Sequence, residues 1–131
     1  MQLLPARTQA DVERARRETR SLAATLHFPR DETEMVALAV CELATNLVRY
    51  GKAGTISLRA LVDNGRVGIE IKSADAGPGI AEVDLALADG FSTGGGLGSG
   101  LPGVRRLMDE FQIRTSPQGT HIVCCKWIPR S

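Results

Sequence analysis

Two polar side chains stand in an otherwise apolar run in the first third of the chain. From Met35 to Val48 the sequence reads MVALAVCELATNLV, in which Glu42, Thr45 and Asn46 are the polar residues. Glu42 and Asn46 are four residues apart, which places both on one face of a helix. A helix this apolar is expected to be buried on most sides. Because burying a carboxylate and an amide costs free energy unless they are bound, the pair predicts either a ligand or metal site or a satisfied network in the core.

Two glycine-rich stretches follow this helix. The first reads DAGPGI from Asp75 to Ile80, and the second reads STGGGLGSGLPG from Ser92 to Gly103. Together they contain eight of the fourteen glycines of the chain. Glycine adopts positive φ without a steric penalty and lets backbone N–H groups approach an anion closely. The two stretches therefore indicate a phosphate-binding site.

Length and composition restrict the class of protein. A chain of 131 residues that is 43% hydrophobic and 24% charged is expected to form one globular domain, residues 1–131. The formal net charge of +1 gives no electrostatic reason to expect a nucleic acid or membrane partner. No apolar run is long enough to span a bilayer, and the N-terminus lacks the apolar segment of a signal peptide, so a cytoplasmic location is expected.

The cysteines do not predict a metal or disulfide site. Cys41, Cys124 and Cys125 are odd in number and lack metal-ligand spacing, and His27 and His121 are the only histidines that could join them. Buried free thiols are therefore expected.

The order of predicted elements indicates a two-layer α+β domain, with a mixed sheet and helices on one face. The segment after Thr8 has helical periodicity, and Asp31 followed by Glu34 is typical of a capping box at the start of the second helix. Asn64-Gly65 between two β-branched runs predicts a hairpin. The predicted elements are an edge strand over 1–6, helices over 9–26, 31–50, 81–88 and 104–110, and strands over 55–62, 67–72, 111–115 and 121–128.

Other nucleotide-binding motifs fit less well. The stretch from Gly98 to Gly103 matches G-x-G-x-x-G, but no strand directly precedes it and no acidic residue lies about twenty positions later. None of Lys52, Lys72 and Lys126 follows a glycine in the pattern G-x-x-x-x-G-K-[ST] of a Walker A loop. The two lobes and H-R-D loop of an ordinary protein kinase are also missing.

The motif order resembles that of the GHKL ATPases, whose ATP site has the Bergerat fold. The resemblance rests on Glu42-x-x-x-Asn46, Asp75-x-Gly77-x-Gly79, Gly98-x-Gly100-Leu101 and Gly119-Thr120. Within this superfamily the chain resembles the RsbT group of switch serine/threonine kinases, which are related to the anti-sigma-factor kinases. Three segments carry that resemblance: Glu42–Asn46, Asp89–Thr93 and Gly100–Phe111.

The resemblance implies a role for each motif. Asn46 would coordinate a Mg²⁺ ion that bridges the ATP phosphates, and Asp75 would accept a hydrogen bond from the adenine amine. Thr120 would hold the adenine edge through Asp75 or a water, while Glu42 would act as the base toward a substrate hydroxyl. Gly77 and Gly79 would keep the wall of the adenine pocket open. The lid over the phosphates would consist of Gly94, Gly95, Gly96, Leu97, Gly98, Ser99, Gly100 and Leu101.

The function that this resemblance implies is an ATP- and Mg²⁺-dependent serine/threonine kinase. Its substrate would be a STAS-domain antagonist or stressosome scaffold protein, and its release would activate a signalling enzyme such as a PP2C-type phosphatase. One alternative is an anti-sigma factor that sequesters a sigma factor. Another is a partner protein that binds ATP without catalysis, against which the presence of Glu42 argues.

Overall fold

The chain folds into a five-stranded sheet with helices packed on one face. The computed structural model describes residues 1–77 and 100–129. The elements, in chain order, are β1 (Gln2–Pro5), α1 (Gln9–Thr25), α2 (Arg30–Tyr50), β2 (Thr55–Asp63), β3 (Arg66–Asp75), α3 (Gly100–Leu107), β4 (Glu110–Ser116) and β5 (Gly119–Trp127).

The strands lie in the order β1-β2-β3-β5-β4, and each pairing among the described strands is antiparallel. The predicted α+β class is therefore confirmed, but the expectation of a mixed sheet was wrong. Two helices, α1 and α2, separate β1 from β2. A pair of helices running in opposite directions returns the chain so that β2 runs opposite to β1.

Local turn chemistry determines the two hairpins. Asn64 and Gly65 have φ values of 52° and 78°, as a type I′ turn requires, and Asp63 pairs with Arg66 across them. Ser116 pairs with Gly119 across the second turn. Both hairpins were predicted from the sequence and are confirmed.

Alternate strand residues face the helices and form the core. Leu4, Ile56, Ile71 and Ile122 are at most 5% exposed and lie on this face. The helix α2 covers them with one buried side, which includes Val36, Ala39, Val40, Leu43 and Leu47. This packing fixes the rotation of α2 about its axis, and therefore the direction of its polar side chains.

The capping box lies at the first helix and not at the second. Thr8 caps α1, with its hydroxyl accepting from the Asp11 N–H while the Asp11 carboxylate accepts from the Thr8 N–H. The N-cap of α2 is Pro29, which makes no side-chain cap bond. The predicted capping box of Asp31 and Glu34 was therefore wrong, since the helix starts one residue earlier and Asp31 lies within its first turn.

The third helix packs against α2. It begins at Gly100, four residues before the predicted start, and buries Leu101 and Val104 in the core. The predicted helix over 81–88 lies outside the described residues. No helix in the described part of the chain is both long and apolar enough to cross a membrane.

Candidate functional site

The polar pair on α2 lies at the rim of the buried side of the helix. Glu42 and Asn46 are half-buried, whereas their neighbours Leu43 and Leu47 are at most 5% exposed. No residue of 36–48 is exposed, so the expectation that this helix is buried on most sides is confirmed, and the pair lies where that burial is incomplete. Water or a ligand reaches this rim, so the pair needs no closed network in the core.

The pair is directed away from the first helix. Cys41 lies on the side of α2 that faces α1, where the charges of Arg16 and Glu13 act on it. At 3.6 residues per turn, Glu42 is rotated by about 100° and Asn46 by about 140° from Cys41 around the axis. The two polar side chains consequently share a side of α2 that α1 leaves open.

The end of the same helix contacts Asp75. Gly51 caps α2, and a Cβ at that position would lie 3.3 Å from the Cβ of Asp75. With a rise of about 1.5 Å per residue, Asn46 lies about 7.5 Å and Glu42 about 13.5 Å before Gly51 along the axis. Glu42, Asn46 and the Asp75 region are therefore arranged in order along one helix.

The segment after β3 is held by backbone and side-chain hydrogen bonds. The Gly77 N–H donates to Asp75 Oδ1 at 2.8 Å, as in an Asx-turn. The Ala76 N–H donates to the Lys52 carbonyl at 2.8 Å, which joins this segment to the loop after α2. One Asp75 oxygen is thus fixed by Gly77, and the orientation of the carboxylate is determined before any ligand binds.

Thr120 lies beside Asp75 in the sheet. Asp75 pairs with Thr120 across β3 and β5, and Thr120 pairs with Thr115 across β5 and β4. Directly paired residues share a face of the sheet. Asp75 is four residues after Ile71 and Thr120 is two residues before Ile122, so Asp75, Thr120 and Thr115 form a row on the same helix-covered face as these isoleucines. Thr120 is 6% exposed, and its hydroxyl lies 3.0 Å from the Thr115 hydroxyl.

Gly119 brings β5 close to the Asp75 backbone, and sequence reasoning gave it no role of its own in the site. Its φ is +152°, and a Cβ there would lie under 3.0 Å from the Asp75 carbonyl oxygen and 3.2 Å from Ala76 Cα. No side chain fits in this space. A glycine directly before a strand threonine is the sequence signal that could have identified it, but the contact itself depends on strand pairing.

The predicted lid is described only at its C-terminal end. Gly100 has a φ of +67° and Leu101 is 7% exposed against the core. The other predicted lid residues, 94–99, and the predicted pocket-wall residue Gly79 lie outside the described residues. The fold therefore brings together Asp75, Gly77 and Thr120, with Glu42 and Asn46 along the adjoining helix.

The side chains near Asn46 suit a Mg²⁺ ion that takes most of its ligands from phosphate and water. In the described part of the chain no group of three or more His, Cys, Asp or Glu side chains could hold a metal ion. Mg²⁺ in nucleotide sites takes few protein ligands and keeps oxygen atoms of phosphate and water. The amide oxygen of the half-buried Asn46 is a suitable single ligand of that kind.

The thiols do not belong to this site. All three cysteines are free. Burial raises the pKa of the Cys41 thiol, and it raises the pKa of the Cys124 thiol to about 12. Burial therefore favours the protonated form of both thiols, which lowers their nucleophilicity. The expectation of buried free thiols is confirmed for Cys124 and Cys125, while Cys41 is half-buried.

Comparisons with known proteins agree with this geometry. The family model described as the histidine kinase-like ATPase domain matches residues 4–126. The serine/threonine-protein kinase RsbT of Bacillus subtilis (strain 168) is 41% identical over 122 residues, which is 92% of this chain and 92% of RsbT. The chain therefore belongs to the family of histidine kinase-like ATPase domains. Within it, the chain is an ATP-using kinase similar to the RsbT-type serine/threonine kinases.

Two solved structures have a similar fold. The RsbU and RsbW domains of a Mycobacterium tuberculosis protein match 98% of this chain and 34% of that chain, with a TM-score of 0.67 and 17% identity. The histidine kinase domain of a blue-light-activated kinase from Erythrobacter litoralis EL346 matches 75% of this chain and 48% of that chain, with a TM-score of 0.52 and 25% identity. The predicted GHKL-type fold is confirmed.

Proposed function

We propose that this protein is a Mg²⁺-dependent serine/threonine kinase whose substrate is a STAS-domain protein in a partner-switching module. The observation that carries the proposal is the order of groups along α2. The helix places Glu42, then Asn46, and then its C-terminal cap Gly51 against Asp75. This order matches a nucleotide with its base at Asp75 and its terminal phosphate near Glu42.

The adenine end is formed by Asp75, Gly77 and Thr120. An Asp75 carboxylate accepts the hydrogen bond of the adenine amine, and a guanine carbonyl at that place would repel it. The Gly77 N–H holds one carboxylate oxygen at 2.8 Å, which leaves the other oxygen for the base. A side chain at Gly77 would lie 3.2 Å from Asp75 Oδ1 and 3.5 Å from the Tyr50 carbonyl oxygen, so glycine keeps this wall open. Gly79 is proposed to do the same.

The phosphate end is formed by Asn46 and by the start of α3. Mg²⁺, when bound, would neutralise the phosphate charge, and the Asn46 amide oxygen would hold it. Gly100 and Leu101 begin α3, and the N-terminal end of a helix, with N–H groups that have no partner within the helix and a positive dipole end, favours a phosphate nearby. We propose that residues 94–99 complete the lid over the phosphates.

Glu42 is proposed as the base for the substrate hydroxyl. It lies one helical turn before Asn46 on the same side of α2, so it flanks the proposed metal and γ-phosphate position. Phosphoryl transfer depends mainly on positioning and charge neutralisation, and a base adds a factor of about 10²–10⁴. Its half-buried position leaves room for an incoming hydroxyl group.

The identity to RsbT over nearly the full length of both chains supports the partner-switching assignment. The proposed substrate is a STAS-domain antagonist or stressosome scaffold. Release from that protein would free the kinase to activate an enzyme such as a PP2C-type phosphatase. The anti-sigma-factor alternative predicts stable binding of a sigma factor instead.

The decisive experiment combines this protein with a candidate STAS-domain protein, ATP and Mg²⁺, and measures phosphorylation of that partner by intact-mass and peptide mass spectrometry. We expect one added phosphate on a serine or threonine. A sigma factor is tested in parallel by pull-down. Sigma-factor binding without STAS phosphorylation would replace the proposal with the anti-sigma-factor alternative.

Glu42→Gln tests the catalytic step, because it keeps the shape of the side chain and removes its basicity. We expect ATP binding and partner binding to persist while transfer falls about 10²–10⁴-fold. Glu34→Gln is a matched control: it makes the same change on α2 at an exposed residue that is paired with Arg20 of α1 at 2.8 Å. Full transfer activity in Glu42→Gln would exclude the catalytic role. Joint loss of stability and ATP binding would indicate a structural network instead.

A further inference from the structure

A third side chain extends the row that contains Asp75 and Thr120. Thr115 of β4 pairs directly with Thr120, and their hydroxyl oxygens are 3.0 Å apart. Thr115 is half-buried on the edge strand, on the helix-covered face of the sheet. The three side chains therefore form one line across β3, β5 and β4, with Thr115 two strands away from Asp75.

Hydrogen counting gives the direction of the hydroxyl pair for a Thr120 that donates to Asp75 or to adenine. A threonine hydroxyl carries one hydrogen and two acceptor lone pairs. A carboxylate and an unprotonated ring nitrogen of adenine can only accept. If Thr120 donates toward either of them, its single hydrogen is used, and the bond to Thr115 requires Thr115 as the donor.

We propose that Thr115 is a positioning residue of the nucleotide site. It donates to Thr120 and so holds the Thr120 hydrogen toward Asp75 and the adenine edge. This inference rests on the proposed ATP site and assigns part of its affinity to a strand that does not contact the base. Because Thr115 acts through Thr120, its effect disappears when Thr120 lacks a hydroxyl group.

The test is calorimetric measurement of ATP affinity in the full chain. Thr115→Val keeps the branched shape and removes the donor, and we expect ATP to bind about two- to twelve-fold more weakly, the range for one net hydrogen bond. Thr115→Ser restores the donor and should restore the affinity. Thr55→Val is the matched control, since Thr55 pairs with Ala74 on the opposite face of the sheet and should leave affinity unchanged.

A double-mutant cycle separates positioning from packing. Thr115→Val in a Thr120→Val background should cause no further loss of affinity, because the hydroxyl group through which it acts is already absent. Thr115→Ala provides a second donor-free variant if valine destabilises the strand. Unchanged or tighter ATP binding in the donor-free variants, or equal losses with and without Thr120, would overturn the inference. If the wild-type chain fails to bind ATP, the proposed function fails first.

Discussion

Replacing Gly119 with alanine perturbs the backbone that carries Asp75. The φ of Gly119 is +152°, a conformation that disfavours L-residues and costs about 1–3 kcal/mol for a residue with a Cβ. The added Cβ also overlaps the Asp75 carbonyl oxygen, and relieving such overpacking costs about a further 1–3 kcal/mol. We therefore expect the free energy of unfolding to fall by about 2–6 kcal/mol.

The same substitution should weaken ATP binding beyond its effect on stability. The overlap is relieved by separating β5 from the end of β3, which moves the Asp75 carboxylate away from the adenine amine. Losing a hydrogen bond to a charged group corresponds to about ten- to hundred-fold in affinity. Urea denaturation followed by circular dichroism measures the free energy of unfolding. Calorimetry at a temperature where the variant is folded measures the ATP affinity.

Gly65→Ala is the matched control. Gly65 also has a positive φ, +78°, but a Cβ there has no atom within 4 Å. We expect the free energy of unfolding to fall by only about 1–2 kcal/mol, because of the backbone conformation, and the ATP affinity to stay unchanged. The reasoning is refuted if Gly119→Ala is no more destabilising than Gly65→Ala, or if it binds ATP as tightly as the wild type.

Three further perturbations test separate parts of the site and core. Asn46→Ala should abolish the Mg²⁺-dependent part of ATP affinity, measured by calorimetry with Mg²⁺ and with EDTA; an unchanged difference would refute the metal role. Asp75→Asn should weaken ATP binding about ten- to hundred-fold, and unchanged affinity would exclude the adenine contact. Burial raises the pKa of the Cys124 thiol from 9.0 to about 12. Between these pH values the thiol keeps its proton in the folded chain and loses it in the unfolded chain, so the free energy of unfolding falls as pH rises. This fall should be shallower in Cys124→Val by urea denaturation in alkaline buffers, and identical slopes would contradict it.

Local signals predicted the hairpins, and non-local pairing determined the rest of the sheet. Asn64-Gly65 specifies its own turn, because both residues tolerate positive φ. Nothing within β3 specifies that it pairs with β5, because residues 76–118 lie between the two strands in the sequence. The all-antiparallel strand order was therefore not predictable from the hydrophobic pattern. The start of α2 was also misjudged. Pro29 is the N-cap, and its carbonyl accepts the first helical hydrogen bond from the Thr33 N–H, so Asp31 lies inside the first turn and past the capping position.

The helical spacing of Glu42 and Asn46 and the motif resemblance that named Asp75 and Thr120 came from the sequence, whereas the places of Gly119 and Thr115 depend on strand pairing. The spacing of Glu42 and Asn46 predicted a shared helix side, which the helix α2 provides. Periodicity could not show that the pair lies at the rim, since that depends on how Leu43 and Leu47 pack on the sheet. Thr115 joins the row through strand register, which its separation of five positions from Thr120 does not reveal by itself.

The glycines near Asp75 explain why the proposed adenine end can be rigid although the chain there is rich in glycine. Gly51, Gly77 and Gly119 come from the end of α2, the turn after β3 and the start of β5, and in each case an added Cβ would meet an atom of Asp75 at 3.3 Å or less. Glycine at these places does not provide mobility. It allows three backbone segments to approach one residue, Asp75, where the Gly77 N–H and the Lys52 carbonyl then fix the turn by hydrogen bonds. Gly77 belongs to the glycine-rich stretches linked above to phosphate binding, and with Gly51 and Gly119 it has a second role, which is to orient the residue proposed to select adenine.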